Sequence, residues 1–277
     1  MSKGAAGVAL IKDTFREAFA RAVFWGFYGL STALILFFIF VMRIDVVEGA
    51  KATISLFGQS GGKSREIGEL VRGFHAGMAT FLYTWGMALA AFASAGLMPA
   101  MLERGRVELL LSKPVSRRYL LLGRYAGALL VVVVNIAYLV FGVWLVLGWK
   151  TGVWQTGFLY SILTASFIFA VLLCAIALSS VLFESAALNT MLTFGLMIIS
   201  PILAQNKIVE RLFSSEWSRG LWNACYYALP KVYGMGKLTL NLVLGRPFDG
   251  WMPVWSSALF GAVVLAAGMT VFSRRDY

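Results

Sequence analysis

The stretch that decides the fold is YAGALLVVVVNIAYLVFGVWLVL, residues 125–147, which contains no charged residue. An α-helix needs about 20 consecutive apolar residues to cross the hydrocarbon core of a bilayer, which is about 30 Å thick. Every backbone N–H and C=O must be satisfied inside that core, and a helix satisfies them within one segment. The stretch therefore predicts a membrane-spanning helix.

The rest of the chain repeats this pattern. Of its 277 residues, 60% are hydrophobic and 13% are charged, and the mean hydropathy is +0.79, whereas about a quarter of the residues of soluble proteins are charged. The first apolar stretch is too long for the core of a cleaved signal peptide. We predict an all-α membrane protein whose single transmembrane domain, 1–277, has six spans, at 22–42, 74–98, 125–147, 158–182, 186–204 and 254–272.

Orientation follows from the basic residues next to the spans. An even number of spans places both termini on one side. Loop 99–124 is rich in Lys and Arg, and residues 1–21 add more, so we expect both termini and this loop in the cytoplasm of a multi-pass inner (plasma) membrane protein. The net charge of +11 fits contact with anionic membrane lipid. It requires no nucleic acid.

Two segments outside the spans have helical character of their own. The N-terminal segment places Val8, Ile11, Phe15, Ala18 and Ala22 on one helical face, which predicts an amphipathic interfacial helix over 1–21 along the inner leaflet. Residues 205–253 form an outer loop too apolar for free solvent and too short in each apolar part to cross. We expect re-entrant or surface-lying helices there.

The sequence offers little chemistry of its own. FGQSGGKS, residues 57–64, resembles a phosphate-binding loop, but its first glycine is one position too late. We therefore predict a Gly/Ser turn, no ATP site, no cofactor and no metal. Of the two cysteines, Cys174 lies in a span and Cys225 in an outer loop, which does not suggest a disulfide framework. One histidine, His75, is expected at the outer edge of the second span, and a membrane hydrolase pairing it with Ser94 is one alternative.

Loop 99–124 is the most informative segment outside the spans. Pro114 disfavours the helical conformation for Lys113, so a short helix must end there. Ser116 can then cap the next helix, with Arg117 and Arg118 in its first turn. The pattern predicts a compact, charged knob at the membrane surface that suits docking to another protein, or alternatively a basic loop that only fixes orientation.

This loop resembles the corresponding cytoplasmic loop of ABC-2 type transporter permeases. The pattern is Glu-x-x-x-Glu-Leu-Leu-Leu-Ser-x-Pro-Val-Ser-Arg, a Leu-rich start to the next span and then Gly-Lys/Arg. This chain has Glu103, then Val107 and ELLLSKPVSRRYLLLGR, residues 108–124, so its two glutamates stand one residue further apart than in the pattern. The closing FSRRDY also resembles the end of these permeases. The similarity is greatest to the permeases of nitrous-oxide-reductase maturation operons.

The resemblance implies a type V exporter-like permease fold and a homodimer driven by two separate ABC ATPase subunits, which would bind ATP and Mg. It implies export and allows for a periplasmic partner, and it leaves the cargo open. It also implies that the loop docks into the ATPase through Glu103, Arg104, Gly105, Arg106, Glu108, Lys113, Pro114, Arg117 and Arg118, with a smaller contact from Glu184. The alternatives are a non-transporting scaffold or sensor that anchors a cytoplasmic partner, and a membrane enzyme built around His75.

Overall fold

The computed structural model describes residues 3–48, 51–56, 59–60, 65–102, 105, 116–205, 216–247 and 250–275. Within these residues, six helical stretches are long and apolar enough to cross a membrane. This confirms the prediction of six helices that are long and apolar enough to cross a membrane. The stretches are Phe24–Val41, Ile67–Met101, Arg117–Thr151, Thr156–Phe183, Ala186–Leu203 and Met252–Arg274.

Ten α-helices make up most of the described structure. Two of the spans contain a π-helical turn, at Phe37–Val41 after the second helix and at Leu82–Gly86 between the third and fourth. The helices are α1 (Lys3–Ala20), α2 (Ala22–Leu36), α3 (Ile67–Phe81), α4 (Met87–Ala95), α5 (Arg117–Thr151), α6 (Tyr160–Phe183), α7 (Ala186–Leu203), α8 (Glu216–Ala228), α9 (Val232–Leu244) and α10 (Met252–Arg274).

Local sequence signals explain several helix ends. The Ser116 hydroxyl accepts a hydrogen bond of 3.4 Å from the backbone N–H of Tyr119, which confirms Ser116 as the N-cap of α5. The same helix ends at Gly152, whose φ of +72° is the left-handed conformation that glycine adopts without penalty. Ser185 caps α7 in the same way by accepting from the Leu188 N–H.

Helix α6 is the centre of the bundle. It packs against α4, α5, α7, α9 and α10, and most of its side chains between Ala165 and Val181 are buried, including Phe169, Leu172 and Ile176. A helix that is apolar on every face belongs in the core of a bundle, and α6 has large exposed side chains only near its two ends, such as Leu163 and Phe183. Helix α10 approaches closely because Gly268 faces the α6 backbone, where an added Cβ would lie 3.5 Å from the Cα of Leu178.

The segment between the first two spans contains strands that the sequence analysis does not predict. Strand β1 (Met42–Glu48) pairs antiparallel with β2 (Lys51–Leu56), and the short β3 (Gln59–Ser60) and β4 (Arg65–Glu66) both pair with β2. The second span then begins at Ile67 rather than at residue 74. The six spans themselves are helical, as the all-α prediction requires.

Two helices of 13 residues lie in segment 205–253. Helix α9 packs against α3 and α6, and its Thr239 is fully buried. The Thr239 hydroxyl donates to the Thr164 hydroxyl at 2.8 Å and can accept from the Tyr83 hydroxyl at 2.9 Å. These bonds attach α9 to the second and fourth spans.

Candidate functional site

The predicted docking residues are only partly described by the structure. Glu103, Arg104, Arg106, Glu108, Lys113 and Pro114 lie outside the described residues, and their role stays a prediction. Gly105 has a φ of +82°, Arg117 and Arg118 open α5, and Glu184 lies in the turn between α6 and α7. The functional site therefore has to be built from the structure around the two ends of the loop.

Both ends of the loop are buried in one apolar cluster. Met101 and Leu102 lie at the start of loop 99–124, and Leu120 and Leu121 lie near its end, after the first turn of α5. The cluster is completed by one side chain from the end of α6 and one from the end of α10; its six members, all at most 3% exposed, are Met101, Leu102, Leu120, Leu121, Val181 and Phe272. Close packing transmits displacement, so a force on the loop reaches four spans at once.

A chain of polar contacts surrounds this cluster. The Arg117 guanidinium donates to the backbone carbonyl of Arg275, and Arg275 in turn donates to the carbonyl of Val181. Arg275 Nη2 lies 2.9 Å from Glu184 Oε1, and these side chains are 37% and 41% exposed. An ion pair this exposed contributes at most about 1 kcal/mol. Glu184 is thus accessible to a partner although it already has one within the chain.

Arg124 is the most buried charge at this end of the bundle. Its side chain is 4% exposed and forms ion pairs with Glu17 and, at 3.6 Å from Nη1 to Oδ2, with Asp13. Its Nε donates to the carbonyl of Leu97 at 3.1 Å and its Nη1 to the Thr14 hydroxyl at 3.4 Å. Arg124 therefore joins α1 to the end of the second span and the start of the third. In the sequence, Arg124 is marked only as a basic residue of loop 99–124 and as the last residue of the motif, and neither signal predicts its burial.

Helix α1 packs on the bundle as well as being amphipathic. Thr14 and Ala18 are buried, and an added Cβ at Gly127 of α5 would lie 2.6 Å from the Thr14 Cβ. Of the predicted apolar face, Ala18 is buried, Phe15 is half-buried and Ala22 is exposed, while the side chains of Val8 and Ile11 lie outside the described residues. Thr14 and the half-buried Glu17 lie on the packed side as well. Glu17 lies on the buried side of α1 because it pairs with Arg124, which is buried in the bundle.

A buried amide network connects the loop end of the second span to the fourth and fifth spans. Asn189 Nδ2 donates to the carbonyl of Ala95 at 3.0 Å and to the Ser180 hydroxyl at 2.7 Å. Its Oδ1 accepts from Ser179 at 2.7 Å. Both Nδ2 hydrogens of Asn189 and its Oδ1 therefore have hydrogen-bond partners, so the network stabilises the α6–α7 turn against α4.

His75 is not at the edge of the second span, and that prediction is wrong. It is 0% exposed within α3 and stacks on Phe158 with ring centroids 4.4 Å apart. Ser94 lies in α4, and at ~1.5 Å per residue the two are about 28 Å apart along the span. This excludes a His75–Ser94 hydrolase pair, which needs hydrogen-bond reach. Among the residues that the structure describes, no group of three or more His, Cys, Asp or Glu is placed to hold a metal ion.

Comparison with known proteins adds no family assignment: no family model matches the chain, and no curated protein matches it.

Proposed function

We propose that this chain is the permease subunit of an ABC transporter, most consistent with an exporter, which forms a translocation path as a homodimer driven by two separate ATPase subunits. The observation that supports this most strongly is the burial of both loop ends in the cluster of Met101, Leu102, Leu120, Leu121, Val181 and Phe272. A loop that only fixed orientation would not need to be packed against four spans. A loop that transmits force from a bound ATPase to the spans would need this packing.

The mechanism follows from how the loop is attached. A partner can shift a conformational equilibrium only by the difference in its affinity for the two states, so the docking element has to move with the spans. Leu120 and Leu121 attach it to the third span, and Met101 and Leu102 to the second. Arg124 adds α1 to the same unit. Closure of two ATPases would then tilt these elements together and open or close the path.

The homodimer is supported by a stripe of small and polar residues on the second span. Gly73, Gly77, Thr80 and Thr84 follow one another at helical spacing and are all exposed. No atom lies within 4 Å of a Cβ added at Gly73 or Gly77. The hydroxyls of Thr80 and Thr84 each donate at 2.9 Å to a backbone carbonyl one turn earlier in the same span. In a membrane, glycines allow helices to approach closely. The stripe suits a second copy of the chain better than it suits lipid.

The proposal is tested by purifying the chain from its native membrane in mild detergent and measuring ATP hydrolysis in the eluate. We expect an ATPase to co-purify with the chain. Glu103→Arg or Glu108→Arg should weaken the binding of that ATPase about 30-fold, because losing a docked charge contact costs about 2 kcal/mol or more. Glu69→Arg is the matched control, since Glu69 is exposed at the start of α3, at the opposite end of the second span.

Three outcomes would contradict the proposal. Co-purification that survives both loop reversals removes the docking assignment. A partner without nucleotide turnover favours the scaffold or sensor instead. Equal loss in Glu69→Arg shows that charge reversal acts through folding and not through docking.

A further inference from the structure

An apolar groove lies at the end of the bundle opposite the loop. It has a volume of about 240 Å³ and is formed by the first turns of α6, by α9 and by the start of α10. Leu163, Phe167, Leu238, Leu242 and Val254 line it. The groove opens sideways out of the bundle, because Leu163 is 68% exposed. Its position within two candidate spans makes it a surface that faces lipid.

The lining of the groove is apolar and therefore suits an occupant without polar groups. Thr164 is the one hydroxyl among the lining residues of its interior, and it is already engaged: it donates to the carbonyl of Tyr160 at 3.1 Å and accepts from Thr239 at 2.8 Å. Tyr160 and Trp251 stand at the rim and are 52% and 61% exposed. Such aromatic side chains favour the depth of the lipid headgroups.

Positive charge flanks the groove just beyond the end of α9. Arg246 lies in the segment that connects the lining residues Leu242 and Trp251, and it is exposed. Within the described part of the chain, Arg246 has no ion pair with a carboxylate. Lys231, just before α9, is instead buried, with 4% of it exposed, and burial lowers its pKa. Its Nζ donates to the Tyr226 carbonyl at 2.9 Å and lies 3.8 Å from the centre of the Tyr226 ring, so it already has partners within the chain.

We propose that this groove binds one acyl chain of an anionic phospholipid whose phosphate is held by Arg246. A second copy of the chain would have to cover this cation without a counter-charge, which is costly. An uncharged lipid would fill the groove but leave the cation unpaired, and a zwitterionic lipid would bring a positive group beside it. The inference is independent of the proposed transport function.

The test is native mass spectrometry of the full chain in detergent micelles that contain phosphatidylglycerol or phosphatidylcholine with the same acyl chains. The wild type should retain one phosphatidylglycerol per chain in preference to phosphatidylcholine. Arg246→Gln should lower that preference about fivefold, since a basic residue near an anionic headgroup contributes about that factor. Leu163→Trp and Leu242→Trp should reduce retention of both lipids by filling the groove.

Leu259→Trp is the matched control, because Leu259 is also 68% exposed but lies on α10 outside the groove. It should bind lipid like the wild type. Equal retention of the two lipids by the wild type, or equal loss in Leu259→Trp, overturns the proposal. So does a groove variant that changes the oligomeric state without changing lipid retention, because the groove is then a contact between copies. Arg246→Gln is an exposed substitution, so the headgroup preference can be measured even if a tryptophan variant fails to fold.

Discussion

Replacing Arg124 by Met should release α1 from the bundle. Arg124 is 4% exposed and pairs with Glu17, which is itself 13% exposed. Removing one partner of a buried ion pair costs about 3–5 kcal/mol, because the other charge is left uncompensated. The lower end applies here, since Glu17 keeps Arg21 at 2.8 Å and Asp13 is 54% exposed. About 3 kcal/mol corresponds to roughly a 150-fold increase in the opening of α1.

Hydrogen exchange of the purified protein measures this opening directly, because amides exchange through local unfolding. Peptides from Lys3–Ala20 should exchange about 150-fold faster in Arg124→Met, with α6 unchanged. Arg16→Met is the matched control, since it removes an exposed arginine from the same helix. Because removing both charges avoids the uncompensated one, Arg124→Met/Glu17→Leu should regain part of the protection. The reasoning is refuted if Arg124→Met and Arg16→Met exchange alike.

Two further substitutions test how the loop end of the bundle is held. Gly127→Ala should displace α1, because the new Cβ would lie 2.6 Å from the Thr14 Cβ, and the displaced helix should be cross-linked or cleaved by protease more readily. Gly195→Ala is the control, because no atom lies within 4 Å of its new Cβ, and it should leave α1 in place. Equal effects of the two substitutions would contradict the close approach of α1 to α5. Asn189→Leu loses three side-chain hydrogen bonds, worth about 2 kcal/mol together at roughly 0.6 each in a membrane, and should lower the thermal midpoint in detergent. Thr190→Val removes a hydroxyl that bonds only within its own helix and should leave the midpoint nearly unchanged, whereas a larger drop than in Asn189→Leu would contradict the network.

The spans could be predicted from the sequence because length and apolarity alone decide them. The Ser116 cap could also be predicted, since a serine that follows Pro114 and precedes a long apolar segment is a local helix-start signal. The short strands after the first span were not predicted. Their pairing depends on register between β1 and β2, and that register is not a periodicity of either segment.

The site could be predicted only where its signals are local. Arg124 and Glu17 are 107 residues apart, so nothing in either segment marks them as partners. The burial of His75 depends in the same way on Phe158, which reaches it from another span. Basic residues near span ends predict orientation on average, and an individual arginine such as Arg124 can instead be a buried structural charge.

The most direct test of the central claim is the side of the membrane on which loop 99–124 lies. Cys225 is exposed on α8, in the segment expected outside, and Cys174 is buried, so a Cys225→Ser background makes a single introduced thiol readable. Ser112→Cys in that background should react with a membrane-impermeant thiol reagent only after the cells are permeabilised, whereas Cys225 of the unaltered chain should react in intact cells. Labelling of Ser112→Cys from outside intact cells would contradict the account, because no ATP-hydrolysing subunit could then reach the loop.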